Sequence, residues 1–102
     1  YLMKNQDLQA VLTFNDITAL LFYKEAARLG LKIPQDIALI SFGDFYIDSI
    51  FEVGLTSFNQ HADKIGREAA KILINRLINK DKVSRKVKKV NYELIRRKSC
   101  SW

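Results

Sequence analysis

Cysteine, histidine, tryptophan and proline each occur once in these 102 residues, and glycine only four times. A lone cysteine, Cys100, excludes an internal disulfide and fits a reducing compartment. One cysteine and one histidine cannot supply the Cys/His ligand set of a zinc site, and the carboxylates are scattered along the chain. Cys100 lies beside Ser99 and Ser101, and His61 falls near a helix start, so no nucleophile and base can be paired from their spacing. The four glycines are widely separated, which rules out a glycine-rich phosphate loop. No apolar run approaches the ~20 residues of a membrane span, and no signal peptide opens the chain. Catalysis, a resident metal and a cofactor are therefore all unexpected.

Charge is the first positive feature. The chain carries a formal +6, but that excess is local. Residues 80–98 hold nine basic and two acidic residues, a charge of +7, and the remaining eight basic and nine acidic residues give −1. Such a cluster could neutralise phosphates. It could equally be a solvated connector and edge strand, where lysine discourages edge-to-edge pairing. The second reading is preferred, because no reading helix and no interleaved aromatics accompany the charge.

Leu2 and Met3 have no apolar partners of their own period, so the chain reads as starting partway through a larger domain. Ala10–Phe14 is a short, continuously apolar run, as expected of a strand buried on both faces. Asn15 or Asp16 can cap a helix running to about Leu29, with Gly30 at the left-handed stop and Pro34 beyond. This helix is apolar almost all round, so it predicts one face on a sheet and a second partner elsewhere. Ile37–Phe42 is a second strand, which makes a right-handed βαβ unit. Gly43 and Asp44 end it, residues 45–54 form a long apolar loop or short helical turn, and Leu55–Phe58 is a third strand. The clearest helix is 61–79, whose small residues Ala62, Gly66, Ala69 and Ala70 predict close packing. Val87–Val90 and Tyr92–Ile95 read as further strands.

Parallel α/β sheets bind ligands beyond the carboxyl ends of their strands. Asn15 follows the first strand there and Asp44 the second. An amide that donates and accepts, paired with a carboxylate that accepts hydroxyl protons, suits a polyol or sugar edge. The alternative is that Asn15 only caps its helix and Asp44 only makes a turn.

The succession AVLTFND (10–16), RLGLKIPQDIALISF (28–42), LTSFNQ (55–60), IGREAAKILI (65–74) and ELIRRKS (93–99) resembles the LacI family of bacterial transcription regulators over almost the whole chain. The resemblance implies an α/β fold: a parallel-sheet, periplasmic-binding-protein-like lobe in three α/β/α layers. Only the last third or so of a two-lobed domain would be present, without the N-terminal helix-turn-helix DNA-binding domain. Residues 1–60 and 92–102 would form the second lobe, and 61–91 would cross to the first. Helix 61–79 would then be short of its native partners.

Carried over by position, Asn15 falls on the family's effector-contacting Asn and Gln60 on a cleft-lining Gln. The first of two polar residues that usually follow the second strand is Gly43 here, so only Asp44 remains to contact effector. The resemblance also accounts for the over-apolar helix. Family dimers pack through it and the loop after the second strand, which places Leu20, Ile47, Ile50 and Phe51 in an interface; Ile50 and Phe51 could instead fold back over their own sheet. The implied function is a small-molecule sensing and dimerisation module of a cytoplasmic regulator. Its effector would be sugar-like and its partner a second copy, and operator DNA would be reached only through the missing domain. The rival reading is an extracytoplasmic solute-binding protein of a sugar transporter. The apolar loop 45–53 and the R-x-S ending argue against it.

Overall fold

The computed structural model describes residues 7–45, 52–79 and 87–100. The interface candidates Ile47, Ile50 and Phe51 lie outside them. Elements follow in the order β1 (Ala10–Leu12), α1 (Asp16–Arg28), β2 (Ala38–Gly43), β3 (Thr56–Asn59), α2 (Ala62–Asn79), β4 (Glu93–Ile95) and a 3-10 turn at Lys98–Cys100. They fall into two compact units, residues 1–59 with 93–102 and residues 60–92.

The first unit is built on one four-stranded sheet in the order β1-β2-β3-β4. β1 and β2 run parallel with Val11 opposite Leu39, and β2 and β3 run parallel with Ser41 opposite Ser57. β4 closes the sheet antiparallel to β3, with Asn59 opposite Glu93. Phe42 and Phe58 face each other across β2 and β3 with ring centroids 4.9 Å apart. Such a stacked cross-strand pair reinforces the parallel register.

Local chemistry delimits α1. Asn15 sits in extended backbone and its Oδ1 accepts the Thr18 N–H at 2.8 Å, the expected N-cap bond. At the other end Gly30 has φ +76°. Its N–H bonds to Ala27 O at 3.0 Å and the Leu31 N–H to Ala26 O at 2.9 Å, which together form a Schellman stop. The inner face presents Ala19 and Ala26, which pack with Ile33, Leu39 and Leu55 in a core flanked by Val11, Leu20, Phe22, Tyr23, Leu31 and Val53. Leu39 and Leu55 are fully buried, and each stabilises the unit by about 1.5–3 kcal/mol. The outer side of α1 leaves Ile17 and Leu21 exposed, one turn apart.

Two strand expectations need correction. β1 is not buried on both faces: Leu12 is 66% exposed and Phe14, beyond its end, 78% exposed. β1 is an edge of this sheet, so among the described residues only β2 flanks it. Val87–Val90 forms no strand. A Val-Lys-Lys-Val run needs a partner edge to become one, and no such pairing is made among the described residues.

The second unit contains α2. Its ion pairs are local: Arg67 with Asp63, Lys71 with Glu68 at 3.1 Å, and Lys88 with Glu68 at 3.6 Å. The small-residue face that predicted close packing is open. Ala62, Ala69 and Ala70 are exposed, and a Cβ built at Gly66 would meet nothing within 4 Å.

Candidate functional site

The strand ends that carry the sequence candidates are joined by one hydrogen-bonded network. It starts at Asp16, the first residue of α1, which is fully buried. One carboxylate oxygen accepts the Ser57 hydroxyl at 2.9 Å and the other the Phe45 N–H at 2.9 Å. Ser57 Oγ in turn accepts the Asp44 N–H at 3.1 Å. The start of α1, the end of β2 and β3 are thereby tied through side chains, not only through the sheet ladder.

Asp44 is the centre of the second half. Its backbone is left-handed, φ +55°, and its side chain is only 12% exposed. Oδ1 accepts Arg97 Nη2–H at 2.7 Å, and Oδ2 accepts the Asn59 amide at 2.9 Å. Arg97 is held in turn: Nη1–H donates to Leu55 O at 2.7 Å, and its backbone N–H donates to Thr56 Oγ1 at 2.8 Å. Two residues on, the buried Ser99 donates to Leu39 O at 2.6 Å and accepts the Thr56 N–H at 2.8 Å.

Sequence candidates and structure meet as follows. Asn15 and Asp44 stand at the same end of the sheet, beyond β1 and β2. Asn15 is half-buried with Oδ1 given to the cap, so its capping role holds whatever else its amide does. Asp44 makes a turn and also accepts from Arg97 and Asn59. Gln60 is exposed and opens the second unit. Leu20 is half-buried and packs against its own core, beside the exposed Ile17 and Leu21.

Gly43 has a structural reason to be glycine. Its φ is +145°, and a Cβ there would lie 2.7 Å from Asp16 Oδ2 and 3.0 Å from two carbons of the Phe45 ring. The place a side chain would take is filled by the Asp16 carboxylate and the Phe45 ring. No side chain, acidic or otherwise, fits at 43 without moving them.

Asp16 was read from the sequence only as a possible cap, and Ser57, Asn59, Arg97 and Ser99 were not read as site residues. The signal was present, since all five belong to the stretches FND, LTSFN and R-x-S that carry the family resemblance. Their order was legible, but their partners were not. Among the described residues no three His, Cys, Asp or Glu side chains are grouped to hold a metal ion. No described helix is long and apolar enough to cross a membrane. A groove of about 410 Å³ is lined by Tyr23, Ala27, Leu31, Ile33 and Val53 among others, on α1 and the segments that precede β2 and β3.

Residues 2–100 match the family described as a periplasmic binding protein-like domain. The chain is 32% identical over 98 residues to the HTH-type transcriptional repressor PurR of Aliivibrio fischeri, covering 96% of this chain and 29% of the repressor. It is similar to the periplasmic binding ribose operon repressor protein from Lactobacillus acidophilus, with TM-score 0.89 and 27% identity over 99% of this chain and 38% of that one. It is also similar to the periplasmic binding protein/LacI transcriptional regulator from Alkaliphilus metalliredigens complexed with D-xylulofuranose, with TM-score 0.86 and 26% identity over 98% and 38%. The chain thus spans about three-tenths of the length of the curated repressor it matches.

Proposed function

Because the chain belongs to the periplasmic binding protein-like domain family, in the form that LacI-type regulators carry, we propose that it is the effector-sensing and dimer-forming module of such a transcription regulator. The observation that carries this reading is the convergence of the family stretches. FND, LTSFN and R-x-S, far apart in sequence, supply one polar network that includes Asp16 and Asp44 at the carboxyl ends of the parallel strands, where open α/β sheets hold their ligands.

In this reading the effector is a small, sugar-like molecule contacted by Asn15, Asp44 and Gln60. Sugar chemistry is supported by the relatives: one is a ribose operon repressor and another holds D-xylulofuranose. Leu20, Ile47, Ile50 and Phe51 pack against a second copy, and the exposed Ile17 and Leu21 continue that apolar side of α1. DNA is bound by a separate helix-turn-helix domain in a cytoplasmic protein, and no catalytic step is involved. Effector acts by shifting an equilibrium between DNA-binding-competent and incompetent dimers, to the extent that it binds one better than the other.

Asn15→Ser separates the effector role from the cap, because serine caps a helix about as well as asparagine but lacks the amide donor. In the full-length regulator, effector affinity should fall at least about tenfold while α1 stays helical, which corresponds to one polar contact of about 1.4 kcal/mol. Unchanged affinity would remove Asn15 from the site. For the dimer, sedimentation equilibrium of the chain beside Phe51→Asp should give a dimer and a monomer. Two well-folded monomers would overturn the interface.

A further inference from the structure

The chain passes from the first unit to the second after Asn59 and returns at Glu93. The departing strand and the segment that follows the returning strand both reach Asp44. Asn59, the last residue of the departing strand β3, donates to Asp44 Oδ2 at 2.9 Å. Arg97, two residues past the returning strand β4, donates to Asp44 Oδ1 at 2.7 Å. The register places Asn59 opposite Glu93, so the two strands are themselves paired where the chain crosses.

Arg97 is built for this task. Its guanidinium spans two fixed acceptors, Asp44 Oδ1 and Leu55 O, and its planar fork holds both in one geometry, which a lysine could not do. Its backbone is locked in both directions to Thr56, whose hydroxyl accepts the Arg97 N–H and donates to Arg97 O, each at 2.8 Å. Gly54 lets the side chain pass: a Cβ at 54 would lie 3.3 Å from Arg97 Cδ and 3.4 Å from its Cβ. Meanwhile Asp44 sits at φ +55°, a conformation uncommon for non-glycine residues though one that Asp adopts more readily than most.

We infer that Arg97 is a positioning residue: together with Asn59 it fixes the Asp44 carboxylate at the ligand-binding end of β2 and ties it to both strands through which the two units are connected. A rearrangement of those connecting strands then moves the Asp44 carboxylate, and a ligand held by Asp44 biases the strands in return. The inference deepens the effector reading and rests on it for the ligand, but the geometry can be tested without one.

The test is the pH titration of the Asp44 side-chain carboxyl carbon by NMR in the intact chain, compared with Arg97→Gln and Arg97→Lys. Among the described residues, the charged groups bearing on Asp44 include Arg97 and, one hydrogen bond removed through Ser57, Asp16. Asp16 is common to all three proteins, so differences report Arg97. Arg97→Gln should raise the Asp44 midpoint, because the adjacent cation that favours the carboxylate is lost. Arg97→Lys should restore part of that shift, keeping the charge without the fork. An unmoved midpoint in a folded Arg97→Gln protein overturns the inference.

If Arg97→Gln fails to fold, Asp44→Asn reads the same contact from the other side. The slowed exchange of the Arg97 Nη2 protons should be lost while Nη1, held by Leu55 O, stays protected, and persistence at Nη2 overturns the inference. The effector reading fails by a separate signal, an unchanged affinity for D-ribose in full-length Asp44→Ala.

Discussion

Replacing Asp16 by alanine removes the acceptor on which α1, β2 and β3 converge. The carboxylate is fully buried and takes one bond from the Ser57 hydroxyl and one from the Phe45 N–H, both at 2.9 Å. Hydrogen bonds to a charged group are worth about 1.5–3 kcal/mol each. Ser57 is itself fully buried, so its hydroxyl proton would have no route to water. An acidic group in the first turn adds about 0.3–1 kcal/mol through the helix dipole. Against this, the mutant no longer keeps a charge out of water, which returns part of the total. The net loss should be about 2–4 kcal/mol, a large fraction of the 5–15 kcal/mol typical of a folded domain. Residues 60–92 form their own compact unit, so a global probe would mix two transitions. Hydrogen exchange at the amides of Leu39 and Thr56 reports the first unit alone. Their protection should fall by 2–4 kcal/mol in Asp16→Ala and by less in Asp16→Asn, which keeps one acceptor oxygen. A loss below about 1 kcal/mol in the alanine variant would refute the claim that this carboxylate organises the strand ends.

Gly43→Ala should cost about 2–4 kcal/mol by the same exchange measurement, since it combines φ +145° with a methyl placed 2.7 Å from Asp16 Oδ2. Ser99→Ala leaves the Thr56 N–H and Leu39 O without their buried partner and should cost about 1–3 kcal/mol. Ser41 behaves oppositely: its hydroxyl is buried with no hydrogen bond among the described residues, so Ser41→Ala should be neutral or slightly stabilising in urea unfolding. In the second unit, Lys71 and then Lys88 hold the Glu68 carboxyl below its ordinary value of 4.5. Because the folded-state value is depressed, the associated stability is present above pH 4.5 and disappears as pH falls through the lower folded midpoint. Lys71→Met should move the Glu68 titration up more than Lys88→Met, as read by carboxyl NMR.

Much of the architecture is written in short-range pattern. The two apolar runs around a capped helical segment predict strand, helix, strand, and Asn15 and Gly30 mark the helix ends, with bonds there between residues three to five positions apart. Those signals depend only on neighbours in the chain, which is why α1 runs from Asp16 to Arg28, within a residue of its expected end. The succession of five stretches, with FND, LTSFN and R-x-S among them, likewise pointed to the family. Sequence could not assign those residues their partners: Asp16 meets Ser57 across 41 positions, Arg97 meets Asp44 across 53, and Ser99 meets Leu39 across 60. Such pairs exist only once strand order and register bring the elements side by side. Burial was decided at the same level. Leu12 and Leu39 are equally apolar, yet one is 66% exposed on an edge strand and the other is fully buried on the strand beside it. Hydrophobicity belongs to the residue, whereas the surface it loses to its neighbours belongs to the fold.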